Sequence, residues 1–529
     1  MTVRFLLFRG SWENEGNFYL LESERGILIL ATGKEYTLTG YQEQQIGRDY
    51  LKENRAKIRA IVVTNTNWQN VGSLNDICHE VGSQIPIYSS YQSRLVISYL
   101  FRSQIRNKFI LVEKNKELEI EDFVLSFIPL NGYLLGNLGL VVHHSQHSFY
   151  FLEGFIFSGL LNDKMLFSNS FWADFQYFCA QKRKSTYLIT NYWGLHWQNK
   201  NSLFFASKTF PSQEKPLFFI FYDFDWLHIL ELLELARNWK KKVRIINPEF
   251  AVLINQVLAR SPLKQVITET KDAKDQSNGG EIFLIVDNPE NIELRVKEAL
   301  INWTLKEKAE FQFVVGIPPV IGGEMRLARI IDYLCTFSSK IVNLSKKEYL
   351  SLGVSFSDFK LLLQLLQPLG VVTLQKSYKH KNLLNHLPGK FFNLANSCFL
   401  DFPTQKISSL RVKKSLISLE EILVEQRSDL GQNGLLIILL TAEWKDGKLQ
   451  LKEAKIESVA ISSALNISKL LTKVKNWWPT KLTHDIKKED NLKIIKRSVE
   501  RRLNSLVSNY LSSEQDINLG ESFILLFVH

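Results

Sequence analysis

A chain of 529 residues exceeds what one hydrophobic core organises, so roughly two to four domains are expected. Its 45% hydrophobic and 22% charged residues fit an ordinary soluble globular protein, and no low-complexity segment or internal repeat interrupts it. A formal net charge of +11 favours polyanionic partners, RNA or DNA first; a mildly basic protein with no such partner is the plain alternative.

No charged-then-apolar leader follows Met1, and no apolar run reaches the roughly 18 residues that span a bilayer. A cytoplasmic location without membrane association is therefore expected. Cys78, Cys179, Cys335 and Cys398 lie far apart with no CxxC pair. They read as ordinary buried or semi-buried thiols rather than a disulfide framework or a zinc ribbon.

Residues 1–160 alternate short β-rich runs ("GNFYLLES", "GILILATG", "AIVVTN", "FVLSFIPL", "LGLVVHH", "SFYFLEG") with helical patterns at 44–57 and 91–107. Strands alternating with helices predict a layered α/β fold. "STYLITNYW" (185–193) reads as a further core strand with a polar end. From about 206 the chain reads strand, long amphipathic helix, strand: a βαβ unit, implying parallel pairing. Asp225 precedes that helix as an N-cap should. "DFKLLLQLLQPLGVVTLQ" continues helix then strand. Residues 433–461 form a β-hairpin turning at Asp446-Gly447, and a helix and a last strand, "SFILLFVH", close the chain.

Basic clusters lie at Arg237–Arg244, Arg411–Lys414 and Lys493–Arg502. Lys240, Lys241, Lys242, Arg244, Lys496 and Arg497 are the RNA-binding candidates. Each cluster reads equally as a solvated helix face or strand flank, and none carries an interleaved aromatic ladder. His143, His144 and His147 form a histidine group on a hairpin tip, read as a solvated turn rather than a metal site. In "GIPPVIGGEMR" (316–326) glycines precede a helix where a phosphate could sit, but the Lys-Ser/Thr of a P-loop is missing.

The stretch "IVVTNTNWQNVGSL" (61–74) runs from a buried strand into a polar loop, a common site position, yet its polar side chains are neutral amides and hydroxyls. On its own, an Asn-rich loop is a turn. In its frame it resembles the ribonuclease J family, nucleases of the metallo-β-lactamase/β-CASP class, over nearly the full chain. The family's Thr-His-x-His-x-Asp-His-Ile-Gly-Ala-Leu corresponds in register to Thr64–Leu74. His is replaced by Asn65, Asn67 and Asn70, and Asp by Gln69. By the same resemblance the remaining ligand positions fall on Gly132, Gly154, about Asn191, and Gln375. The family's Ser-Gly-His falls near Ser351-Leu352-Gly353 and its Ser-Asn-Ile-His on Phe224-Asp225-Trp226-Leu227.

The resemblance implies a metallo-β-lactamase αββα sandwich in two parts (1–205 and 350–457), an inserted β-CASP domain (206–349) and a small α+β C-terminal domain (458–529). Zinc takes imidazole, thiolate or carboxylate, and lowers the pKa of the attacking water. Amides and glycines supply none of these ligands, so no metal, no cofactor and no catalytic residue are expected. The implied function is a non-catalytic ribonuclease J-like subunit assembled with an active ribonuclease J paralogue in RNA processing or decay. The alternative is a stand-alone RNA- or ribosome-binding protein. Trp68, Trp193 and Trp226 map near the cleft between the two main domains, where they are expected to fill it, with stacking on bases as the alternative.

Overall fold

The computed structural model describes residues 2–155, 171–191, 216–304, 311–317, 324–374, 387–410, 435–459, 470–476 and 521–528. Excepted within these ranges are 12–15, 38–39, 43–46, 131, 133, 184, 260, 269–281, 339–340, 345–353, 355, 388 and 446–447. Contacts divide the chain into two compact units, Met1–Leu416 and Ile417–His529.

The first unit holds two sheets packed face to face. One has eight strands, in the order Lys406–Ser409, Cys398–Asp401, Val3–Arg9, Phe18–Ser23, Ile27–Thr32, Ile58–Val62, Ile87–Ser89, Phe109–Leu111. The other has seven: Phe391–Phe392, Gly370–Leu374, Ser185–Asn191, His147–Phe151, Leu138–His144, Phe123–Pro129, Leu118–Ile120. Leu7, Tyr19, Leu28 and Val62 of the first meet Phe127, Leu140, Phe149 and Ile189 of the second in one core. Outward faces are covered as well. Helix Leu74–Val81 packs Leu74, Ile77 and Val81 against Leu20, Ile29 and Ile61. Helices Phe171–Ala180 and Phe356–Leu366 cover Val141, Leu188 and Val371. Burial on both faces explains why "ILILAT" and "FYLLES" are buried at every position instead of alternating.

A third sheet has six strands, all parallel: Ile267–Thr268, Val243–Ile245, Ile282–Asp287, Leu217–Tyr222, Gln312–Val315, Ile341–Asn343. Leu217–Tyr222 and Val243–Ile245, expected as one βαβ unit, flank Ile282–Asp287 rather than each other. Helices Trp226–Asn238 and Pro248–Val257 cover one face, and Ile292–Thr304 and Glu324–Cys335 the other. Asp225 caps the first of these, its carboxylate accepting from the His228 backbone N–H as the sequence predicts. The chain reverses direction across this sheet between Leu217–Tyr222 and Ile282–Asp287, and Asp223 and Asp287 stand at their carboxyl ends.

In the second unit, Leu435–Lys445 and Lys448–Val459 pair antiparallel, and the last strand, Glu521–Val528, runs parallel beside Leu435–Lys445. The hairpin is as read from the sequence. The boundary expected at 457 falls inside it, because strand 435–445 takes its other partner from the C-terminus. The helix expected before the last strand, with Lys496 and Arg497, lies outside the described residues.

Candidate functional site

The loop 64–72 leaves the carboxyl end of Ile58–Val62. Main-chain hydrogen bonds hold it down. Asn17 N donates to Gln69 O (2.6 Å), Gly33 N to Asn17 O (2.7 Å) and Lys34 N to Trp68 O (3.0 Å). The Gln69 carbonyl lies so close to Gly33 that a Cβ there would sit 1.6 Å from it. Only glycine admits this approach.

Each asparagine in the loop has a local task. Asn67 is the N-cap of the short helix Trp68–Val71, accepting from Gln69 N. Asn65 accepts from Asn67 N (3.2 Å) and turns its amide N–H to Glu153 Oε2 (3.2 Å). Asn70 also donates to Glu153 Oε2 (2.8 Å) and accepts from the Asn17 amide. Tyr19 donates its hydroxyl to Glu153 Oε1 (2.7 Å).

Glu153 is therefore the centre of the site, and the sequence reading missed it. It is 4% exposed and immediately precedes Gly154, a position the resemblance assigns to a bridging aspartate. Its signal was a lone acid at the end of the apolar run "SFYFLEG". Burial raises its carboxyl above the usual range, and the hydrogen bonds from Tyr19, Asn70 and Asn65 oppose that shift. Burial and the Glu153 charge push the Tyr19 phenol well up, so Tyr19 remains the donor.

Gly132 and Gly154 meet backbone to backbone. A Cβ on Gly132 would lie 2.3 Å from Gly154 O, and Gly154 has φ +60°. Asn137 ties the contact by donating its amide to Glu153 O (3.0 Å) and Gly154 O (3.3 Å). Asn191, buried at the end of its strand, has an amide oxygen without a hydrogen-bond partner among the described residues.

The zinc pair that the resemblance brings to mind does not fit these residues. Among the described positions five present amides and two have no side chain, and the carboxylate of Glu153 beside them is occupied by three donors. Among the described residues no group of three His, Cys, Asp or Glu side chains could hold a metal ion. Gln375 and the 351–353 segment lie outside the described residues.

Of the tryptophans expected near the cleft, Trp226 lies beside it and Trp68 does not. Trp226, 2% exposed, packs on Phe250 with ring centroids 5.3 Å apart. It lines a cavity of about 150 Å³ together with Leu135, Gly132 and Asn137, between the sheet sandwich and the parallel-sheet domain. Trp68 instead turns to the outer layer, edge-on to Phe101 at 5.7 Å. Trp193 is not among the described residues.

The histidine hairpin needs correction too. Its turn is exposed at Ser145-Gln146, but His143 and His144 are buried. His143 bonds Ser148 (3.0 Å) and His144 Nε2 bonds Asp122 (3.0 Å). Their alternation places one ring on each face of the sheet, which puts both beneath neighbouring layers.

The basic candidates split. Lys240 and Lys242 are exposed, Lys242 bonding the Gln265 carbonyl; Arg244 lies over the Phe283 ring at 5.8 Å. At the carboxyl edge of the same sheet, away from these cations, Asp223 accepts from Tyr99 of the sandwich (3.5 Å). Burial, then the charge of Asp287, push its carboxyl up to about 7.

No protein-family profile matches the chain. It is 21% identical over 484 residues to an uncharacterised protein of Mycoplasma genitalium, covering 84% of each. It is 24% identical over 152 residues to ribonuclease J 2 of Streptococcus pyogenes, covering 26% of each. A crystal structure of a protein of unknown function from Enterococcus faecalis aligns over 76% of this chain and 100% of that one, with TM-score 0.51 and 10% identity. The metallo-β-lactamase fold protein YhfI of Bacillus subtilis aligns over 37% of this chain and 74% of that one, with TM-score 0.26 and 13% identity. The class defined so far is a multi-sheet α/β protein. A quarter of it carries weak sequence similarity to a ribonuclease J.

Proposed function

We propose that this chain is a ribonuclease J-like pseudo-nuclease: a metallo-β-lactamase sandwich built from the chain on either side of an inserted β-CASP-like domain (206–349). It acts as a cytoplasmic, non-catalytic subunit that assembles with an active ribonuclease J paralogue in RNA processing or mRNA decay. The observation that carries this reading is the amide cage. The loop that stands in register with a metal loop directs Asn65 and Asn70 onto one buried carboxylate. Next to it, Gly132 and Gly154 close the space that ligand side chains would need. Amides in such a place stabilise a loop without activating water, because neither form of the side chain takes up or releases a proton near pH 7. A fold kept with its reactive centre filled serves binding. The local similarity to ribonuclease J 2 supports that family as the source of the partner.

The test is co-purification of the full chain with an active ribonuclease J from the same cell, with a 5′-labelled RNA assay on each component and on the mixture. A stable complex whose RNA cleavage differs from that of the active subunit alone supports the reading. Absence of any association counts against it. If the isolated chain binds RNA with steep salt dependence and has no nuclease partner, a stand-alone RNA- or ribosome-binding role replaces it, with Lys240, Lys241, Lys242 and Arg244 the first residues to neutralise.

A further inference from the structure

We propose that the cavity between helix Tyr91–Leu100 and the turn at 101–109 is a binding site for a small nucleoside phosphate. Its volume is about 420 Å³, within the range of small-molecule sites and well beyond that of a bare phosphate. Arg94 on the helix and Lys108 on the turn both line it.

The cations of this cavity lack a counter-charge among the described residues, unlike some other arginines of the same domain. Arg48 meets Glu80 at 2.9 Å and Arg59 meets Glu121 at 2.8 Å. Arg94 and Lys108 are both exposed, and among the described residues neither has a carboxylate within ion-pair reach. Two cations lining one cavity without counter-charges attract an anion, and an arginine offers a planar fork for phosphate oxygens. Ser98 and Ser103 add hydroxyls to the same lining. Ile97 and Phe109 supply an apolar wall, with the Arg94 guanidinium 5.9 Å from the Phe109 ring centroid. An anion of this size with a flat apolar part matches that combination, and a mononucleotide is the common molecule with both.

The wall is held in place before any ligand arrives. Arg102 and Ser103 have φ +47° and +58°, two successive non-glycine residues in the left-handed region. Backbone bonds Ser103 N to Ser98 O (2.9 Å) and Gln104 N to Phe101 O (2.9 Å) fix the turn. The buried Asn107 amide anchors its far end to Gly82 O (3.0 Å) and Ile85 O (2.8 Å). Backbone held in an uncommon conformation by its surroundings is a feature of ligand sites, and a rigid wall lowers the entropy lost on binding. The site is separate from the amide cage and holds whether or not the chain joins a nuclease.

The experiment is titration calorimetry of the full chain with AMP, ADP, ATP and inorganic phosphate, and with a 5′-phosphorylated RNA oligonucleotide in parallel. The expected result is saturable one-to-one binding of at least one mononucleotide, weakened by added salt. It should weaken at least about tenfold in the Arg94→Gln/Lys108→Gln double variant, with Lys52→Gln as a surface control that leaves it unchanged. Both substituted side chains are exposed, so the variant is expected to melt with the parent. Three results would overturn the proposal: no saturable binding of any mononucleotide, binding that the double variant keeps within twofold, or binding of the oligonucleotide alone.

Discussion

Gly132 stands against the carbonyl of Gly154 so closely that a Cβ would lie 2.3 Å from the oxygen. The obstacle is main chain, which cannot rotate aside as a side-chain tip would. In the register read from the sequence these are two of the vacated ligand positions. Closure at this contact therefore separates a filled pocket from an empty one. Gly132→Ala is expected to cost on the order of 1–3 kcal/mol by overpacking, and Gly154→Ala about 1–2 kcal/mol because φ +60° disfavours a side chain. The double variant should cost less than the sum, since one backbone shift relieves both. Thermal melts of the three proteins measure this. Unchanged stability in Gly132→Ala would mean the contact is loose.

Glu153 gives a second contrast. Replacing it by Ala strands the Tyr19 hydroxyl and the Asn65 and Asn70 amides, a loss of at least about 3 kcal/mol. Gln keeps the bulk, can accept from both Asn amides on its oxygen, and can donate its NH2 to Tyr19. Glu153→Gln should stay within about 1 kcal/mol of the parent, whereas Glu153→Ala should fall well below it in chemical denaturation. If both variants fall equally, the carboxylate charge itself is needed.

Asp223 predicts a pH effect whose sign follows from its environment. Burial and Asp287 raise its carboxyl from 3.8 to about 7 in the folded chain. The folded state then binds the proton more tightly than the unfolded one. The favourable contribution is full below about pH 4 and lost as pH rises through about 7. Asp223→Asn is expected to raise the melting temperature at pH 8, by a stabilisation of at most about 4 kcal/mol, and to change it little at pH 4.

His143 acts in the opposite direction over an overlapping range. Burial, then the nearby Arg183, lower its pKa to about 4, so its contribution is present above the ordinary value of 6.5 and lost as pH falls through 4. The two trends offset each other in the parent, which is why single variants are compared. His143→Gln should flatten the acid side of the stability profile, read by melts between pH 4 and 7. A profile identical to the parent would show that His143 carries no part of it.

The strands of the sandwich were legible because burial on both faces writes continuous apolar runs such as "GILILAT". The turn at Ser145-Gln146 and the cap at Asp225 were equally local and equally readable. Long-range partnerships were not. Nothing in "SFILLFVH" says that it pairs with residues 435–442, and nothing in the βαβ pattern says that strand 282–287 inserts between its two strands. The candidate site was legible as a loop whose residues cannot ligate metal. What held those residues was hidden, because Glu153 acquires its meaning from Tyr19, 134 residues away, and Asn65, 88 residues away. A charge in an apolar run reads as an exposed end until its donors are placed around it.

The proposed pseudo-nuclease reading expects the hydrogen-bonded site around Glu153 to take no metal pair. Metal content decides it most directly. The purified full chain would be dialysed against zinc and then against metal-free buffer, and its zinc measured per chain by elemental analysis. The account predicts far less than one ion per chain, unchanged in Glu153→Gln. Two tightly held ions per chain, lost on substitution of Glu153 or Asn70, would contradict it.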